Sequence, residues 1–431
     1  MQRFLKWFLI FIVGYHLIVT CIGYGILGGR YPQIRPIIRD IIRFSFIIYN
    51  AIFWRKYIRE YLIQRKEMWI RMGILIAFSL GISYLKGKSL YDMFVGIKYG
   101  LLYLPIFLSA TFIGHLRAQK KETHTENFLV WIKYFLLIIL SIGFIRQIMK
   151  FIRPDFFFHI GYGPLDDFKF GMKPPIYYLT GYKGTWRRQG IFSWPNNYGY
   201  FLIAMFPCFL ALFKTKRQEI KTFFKSKQVA QNSIFIALRI AAIGLSLSRT
   251  ARIGWCVILA LLNIQWIKQH KKIAISIAIV AILGLIWLSV FKGTSTLAHL
   301  QAKLGSIHYV IQKPSGYGLG TSWPAVHYNG TILPENYYIQ LMLDIGTRWF
   351  LLRAFCIWQR QKIQNKIKKQ IQDKNNIIYR VRRSLCIGRI ALLVMGMFLH
   401  VFEDSMVNYI FFILRGITSG YLLAEVNRNK L

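Results

Sequence analysis

Acid is scarce in this chain. Sixteen Asp and Glu stand against 57 Lys and Arg over 431 residues, a formal net charge of +41. Cysteine is scarcer still. The five, Cys21, Cys208, Cys256, Cys356 and Cys386, all lie in or beside apolar runs. None has the spacing of a metal site or a disulfide framework, so they read as packing residues. His308 and His327 have no second His or Cys at ligand spacing, and the polar segments contain no Asp-x-Asp. Neither a metal site nor a cofactor is expected. The short alternating strands of a transmembrane barrel are missing too, as are internal repeats and low-complexity tracts.

What the chain has is apolar length. It is 55% hydrophobic, with a mean hydropathy of +0.38. Its apolar runs are long enough to cross a hydrocarbon core of about 30 Å. Only helices or closed barrels satisfy backbone polar groups in lipid, so the reading is an all-α polytopic membrane protein forming one integral domain, 1–431. The first run, Phe4 to Leu27, is too long for a signal-peptide core and has no clear cleavage site.

Twelve spans are expected. The first six are Phe4–Leu27, Ile37–Trp54, Trp69–Leu85, Leu90–His115, Phe128–Ile148 and Tyr198–Phe213. The later six are Ser233–Leu247, Ile253–Ile267, Ile273–Phe291, Tyr337–Trp358, Leu385–Phe402 and Met406–Leu423. Lys and Arg concentrate in the short segments between runs. That pattern reflects topology rather than nucleic-acid binding, with membrane lipids as the partner of the basic surface. With both termini cytoplasmic, every strong basic cluster falls inside a plasma (inner) membrane. The basic stretch 359–384 then reads as an amphipathic cytoplasmic segment. Two long loops, 150–197 and 292–336, fall outside, and loops of that length in a compact protein are usually functional.

Three polar segments interrupt the apolar pattern on that outer side. Arg187 and Arg188 close the first long loop just before Pro195-Asn196-Asn197. A planar five-donor guanidinium suits phosphate oxygens, although an arginine at a helix end also snorkels to headgroups. Arg249 and Arg252 sit in a very short outer turn, where the charge rule disfavours them and an ionisable group near membrane depth is a functional candidate. Glu335, Asn336 and Tyr337 stand at the mouth of the tenth span. Among so few acids, Glu335 is a candidate general base if burial raises its pKa. It equally suits a helix N-terminus, and the two roles are compatible. Gly316-Tyr317-Gly318-Leu319-Gly320 follows no strand and precedes no Lys-Ser/Thr, so its glycines serve tight loop geometry rather than nucleotide binding.

These residues together resemble the O-antigen ligase/polymerase superfamily of membrane glycosyltransferases, which are of the GT-C type. The resemblance runs through Arg187-Arg188-Gln189-Gly190-Ile191-Phe192 with Pro195-Asn196, and Leu247-Ser248-Arg249-Thr250-Ala251-Arg252-Ile253-Gly254. It continues in Gly316 to Ser322 and in Pro334-Glu335-Asn336-Tyr337-Tyr338-Ile339-Gln340, ending at Asp344-Ile345-Gly346. It covers 183–346, whereas the first five spans agree in hydropathy alone.

The resemblance implies a GT-C-like bundle acting on a glycan carried by a polyprenyl diphosphate at the outer face. The acceptor is a sugar hydroxyl that attacks the anomeric carbon with inversion, without a metal. It implies diphosphate binding by Arg187, with Arg188 beside it, and by Arg249. Arg252, Asn336 and Tyr337 are read as further substrate-binding positions, and Glu335 and Arg249 as catalytic. The ligases carry a His where Glu335 stands, which favours a polymerase of surface-polysaccharide repeat units over a ligase-type transferase to a lipid or protein acceptor. Gly346-Thr347-Arg348 also departs from the family, placing a cation where it is usually apolar. A flippase or twelve-span carrier is the rival. Such a carrier is expected to show two related halves, which this chain lacks.

Overall fold

The computed structural model describes residues 2–26, 34–53, 66–100, 102–119, 124–164, 187–213, 248–270, 294–322, 336–347, 376–403 and 405–428. Residues 173, 175, 176, 237, 240, 242–244, 246, 334, 350 and 351 are described besides. The larger helices are α1 (Gln2–Val19, continued by a π-helical turn, Thr20–Ile26), α2 (Ile34–Phe53), α3 (Lys66–Leu85), α4 (Leu90–Gly100), α5 (Tyr103–Gln119) and α6 (His124–Ile152). They continue as α7 (Pro195–Phe213), α8 (Arg249–Leu262), α9 (Thr294–Gln312), α10 (Tyr337–Ile345), α11 (Ile377–Met395) and α12 (Ser405–Arg428). Among the described residues no strand forms, and Gly163 and Pro175 make only an isolated bridge.

The described residues fold as helices and their connections, and three of the described helices are long and apolar enough to cross a membrane. They lie over Thr125–Ile152, Pro195–Phe213 and Met406–Val426. The α4–α5 pair makes a fourth if the bent pair counts as one span. Their burial separates their places. Only 44% of the most apolar window of α6 is buried, against 83% for both α7 and α12. Accordingly Tyr134, Ile138 and Ile145 form an exposed apolar stripe on α6.

α5 and α12 form the centre. Cβ atoms at Gly114 and Gly420 would collide with the carbonyls of Ile417 and Thr111, and one at Gly416 would lie 2.6 Å from Ala110 Cβ. Gly416 faces Phe107 and Ala110, and Gly420 faces Thr111 and His115, so the two helices run parallel. Gly416-x-x-x-Gly420 is the small-residue spacing that lets helix backbones touch in lipid. α7 and α11 meet similarly, with Gly388 seated against the Ala204 carbonyl. Gly254 of α8 is wedged between Met395 of α11 and Ile203 of α7.

Several expected spans have different bounds. Leu90–His115 is two helices bent by 47°. Gly100 precedes the break and Pro105 follows it. Proline has no N–H for the carbonyl four residues back, and its ring crowds that carbonyl, so one straight helix cannot pass. The Leu102 N–H bonds instead to the Ile97 carbonyl at 3.0 Å. The expected span Tyr337–Trp358 is interrupted at Gly346, where φ is 82°. There the chain crosses the 313–316 turn, and Thr347 N–H bonds to the Pro314 carbonyl at 2.9 Å. α11 starts at Ile377, inside the stretch read as a basic segment, because Asn376 caps it by accepting from Ile378 N–H at 2.7 Å. The segment 292–336 holds a 19-residue helix, α9. The expected span Ile273–Phe291 and most of Ser233–Leu247 lie outside the described residues.

Candidate anion site at the ends of three helices

The end of α6 carries two cations that face inward. Arg146 is 6% exposed and Lys150 1%. The segment 187–194 folds over them, and two glycines explain how it comes so close. A Cβ on Gly143 would sit 2.8 Å from the Tyr198 hydroxyl, and one on Gly190 2.7 Å from the Tyr198 ring. Gly190 also has φ of 56°, a region L side chains rarely adopt. Phe192 packs on Phe201 with ring centroids 5.0 Å apart, fixing the segment to α7.

Each cation has been given a neutral mount. Arg146 donates through Nη1 to the Gly190 carbonyl, and its guanidinium carbon lies 5.0 Å from the centre of the Tyr162 ring. Lys150 Nζ donates to the Ile176 carbonyl at 2.6 Å. Arg188 is 3% exposed and stacks on Phe144 at 3.9 Å. Arg187 is half-buried and donates to Asn196 Oδ1 at 2.7 Å and to the Ser246 carbonyl at 3.3 Å. Arg146 and Arg188 both lie close enough to Lys150 to repel its charge.

The cluster therefore gathers four cations, and neither Arg146 nor Arg188 touches a carboxylate among the described residues. Nε and Nη2 of Arg146, and Nε and Nη1 of Arg188, are buried without a hydrogen-bond partner. Burial pushes the Arg188 guanidinium below its ordinary range, with the Tyr198 hydroxyl opposing the shift. Desolvating each such charge costs several kcal/mol unless it is paired and hydrogen-bonded, whereas a desolvated cation–π contact returns only about 2 kcal/mol. A bound anion with several oxygens would supply the missing acceptors and the missing charge together.

The second expected pair adjoins this cluster. Ser248 caps α8, its Oγ accepting from Ala251 N–H at 3.3 Å. Arg249 and Arg252 are exposed on the first turn. Cations oppose the helix dipole there, where an anion is favoured. The two sequence segments meet through the Arg187 bond to Ser246 and through Gly199, whose Cβ would lie 2.8 Å from that of Ala251.

The third segment is held by the far end of α11. Tyr337 N–H donates to the Gly396 carbonyl at 2.9 Å, one residue beyond the Met395 side chain that receives α8. Asn336 caps α10, its Oδ1 accepting from Tyr338 N–H at 2.9 Å and Ile339 N–H at 3.1 Å, while Nδ2 donates to the Met397 carbonyl at 2.8 Å. Tyr337 is buried, its hydroxyl 3.4 Å from that of Tyr103. Both residues thus fix the start of α10. Glu335 itself lies outside the described residues.

The glycine-rich loop docks on α10 through one buried carboxylate. Asp344 accepts from Gly320 N–H at 3.2 Å, Ser322 N–H at 3.0 Å and Ser322 Oγ at 2.7 Å. Gln340 Nε2 adds a bond to the Ser322 carbonyl at 3.1 Å. Gly316, Gly318 and Gly320 all have positive φ, and a Cβ at Gly320 would strike the Asp92 carbonyl. The loop is thus clamped between α4 and α10.

Sequence reasoning found Arg187, Arg188, Arg249 and Arg252. It does not point to Arg146, and it places Lys150 at the start of the first long loop. Their spacing of four, on one helical face at the end of an apolar run, was the available signal. No protein-family model, no curated protein and no solved structure matches the chain.

Proposed function

We propose that the protein is a surface-polysaccharide polymerase, transferring glycan repeat units from a polyprenyl-diphosphate donor to an acceptor sugar hydroxyl at the outer face of the plasma membrane. The observation that carries this reading is the buried set Arg146, Lys150 and Arg188 with half-buried Arg187, guanidinium N–H groups being unpartnered on Arg146 and Arg188, beside the exposed Arg249–Arg252 turn. A diphosphate between an isoprenoid and a sugar matches it in charge, in number of acceptor oxygens and in position at the end of membrane-crossing helices.

In this reading the buried cations hold the diphosphate, and Arg249 and Arg252 meet it from the solvent side. Glu335 takes the proton of the acceptor hydroxyl. That oxygen forms the new bond to the anomeric carbon from the face opposite the diphosphate. The bond to the diphosphate oxygen breaks, and polyprenyl diphosphate leaves with the electron pair. Arginines aimed at the oxygen where negative charge grows stabilise the transition state more than the ground state.

The test is reconstitution of the purified protein with a polyprenyl-diphosphate oligosaccharide, resolving the products by mass. A ladder of lengthening lipid-linked glycans is the expected result. Glycan delivered to a different acceptor would make it a ligase-type transferase. Donor that only changes leaflet would replace the enzyme with a flippase.

A further inference from the structure

α9 has three distinct sides. Ser306 and Val310 are buried, Val310 packing on Ile339 and Leu343 of α10. Leu304, Ile307 and Ile311, at i, i+3 and i+7, form a second stripe that is apolar and exposed, Leu304 by 59% and Ile311 by 70%. Gln301, His308 and Gln312 form a third stripe that is polar and exposed. A helix with one side on protein needs only one more kind of face in water. Three kinds of face imply three surroundings, namely protein, an apolar medium and water.

We propose that α9 lies flat at the bilayer surface, with Leu304, Ile307 and Ile311 among the acyl chains and Gln301, His308 and Gln312 in the aqueous phase. At 19 residues it is long enough to cross a bilayer, but it is not among the helices apolar enough to do so. Charge identifies the occupant as lipid. From Lys292 to Pro334 there is no Asp or Glu, while Lys292 and Lys313 bracket the helix and Lys303 lies within it. Cations at headgroup level attract anionic phospholipid by about 1 kcal/mol each, and a helix of this pattern buries its apolar stripe ~5–10 Å deep. Lys303 Nζ sits 5.0 Å from the centre of the Phe398 ring, and Phe398 and its neighbour Met397 are themselves exposed apolar residues, so the stripe continues across the end of α11. α9 would then hold the 313–322 loop, clamped by Asp344, at the height of the membrane surface. The inference is independent of the glycosyl-transfer reading.

The test uses the full chain in vesicles of phosphatidylethanolamine and phosphatidylglycerol containing a trace of phosphatidylcholine with a diazirine in its acyl chain. After illumination, endoproteinase Lys-C, which unlike trypsin cuts the Lys313–Pro314 bond, releases residues 304–313 between Lys303 and Lys313 as one peptide for mass spectrometry. Label is expected on Leu304, Ile307 or Ile311 at a yield comparable to that on Ile138 and Ile145 of α6, and is expected to be lost from His308 and Gln312. An unlabelled 304–313 peptide beside labelled α6 would overturn the proposal. So would cross-links joining this peptide to a second copy of the chain, which would make the stripe a protein interface.

Discussion

The Arg187 guanidinium donates to the carboxamide oxygen of Asn196, nine residues further on, at 2.7 Å. The same side chain reaches the Ser246 carbonyl and so ties two separate segments of sequence together. Asn196→Ala removes one charge-assisted bond, worth about 1.5–3 kcal/mol. The expected outcome is a rise in KM for the donor of about tenfold or more, kcat being kept because the guanidinium remains. Steady-state kinetics on a polyprenyl-diphosphate glycan check this, and an unchanged KM would free Asn196 from the site.

Arg188→Leu separates function from stability. The charge is buried on Phe144 with two unpartnered N–H groups, so an apolar side chain of similar size is expected to stabilise the unliganded protein by about 1–4 kcal/mol. The cluster loses its anion at the same time. Wild-type protein in excess inorganic diphosphate gains about 2.7 kcal/mol at a hundred times Kd, and the variant is expected to gain little. Melting curves with and without diphosphate measure both effects. Equal shifts for the two proteins would remove Arg188 from the anion site.

Arg249→Ala tests the exposed half of the site. The side chain lies on the surface of the first turn of α8, so its loss changes stability by no more than about 0.5 kcal/mol. Transfer is expected to be abolished with membrane insertion intact. Normal activity in well-inserted protein would remove Arg249 from the proposed mechanism.

Gly320→Ala and Asp344→Asn probe the clamp on the 313–322 loop. The alanine meets the Asp92 carbonyl at a φ of 83°. The asparagine turns one acceptor into a donor facing N–H groups, a loss of about 1–3 kcal/mol. Both variants are expected to melt earlier and to be cut sooner by endoproteinase Lys-C after Lys313. Unchanged cleavage would mean that the loop is held by other contacts.

Gly420→Val tests the parallel α5–α12 contact. The Gly420 position touches the Thr111 carbonyl and the His115 N–H, so a branched side chain must push the helices apart. Loss of monodisperse protein on size exclusion in detergent is expected. A well-behaved variant would show that the close approach is dispensable.

Apolar length and the shortage of acid were enough to expect a helical chain with helices apolar and long enough to cross a membrane, because the cost of burying backbone polar groups in lipid leaves few architectures. The arginines and turn residues at 187–197 and 248–252 were likewise legible as polar segments in an apolar chain. Helix bounds were less legible. The breaks at Gly100–Pro105 and at Gly346 depend on what crosses the helix there, and the start of α11 depends on its Asn376 cap.

Only the tertiary structure could bring Arg146 and Lys150 of α6 to Arg187 and Arg188, because the approach depends on Gly143 and Gly190 admitting the Tyr198 ring between distant segments. It also set Asn336 and Tyr337 against Met397, Gly396 and Tyr103, which lie 59 to 234 residues away. Hydropathy is a property each residue carries by itself, so a sequence declares it. A charge cluster is a property of distances, and those are set by packing.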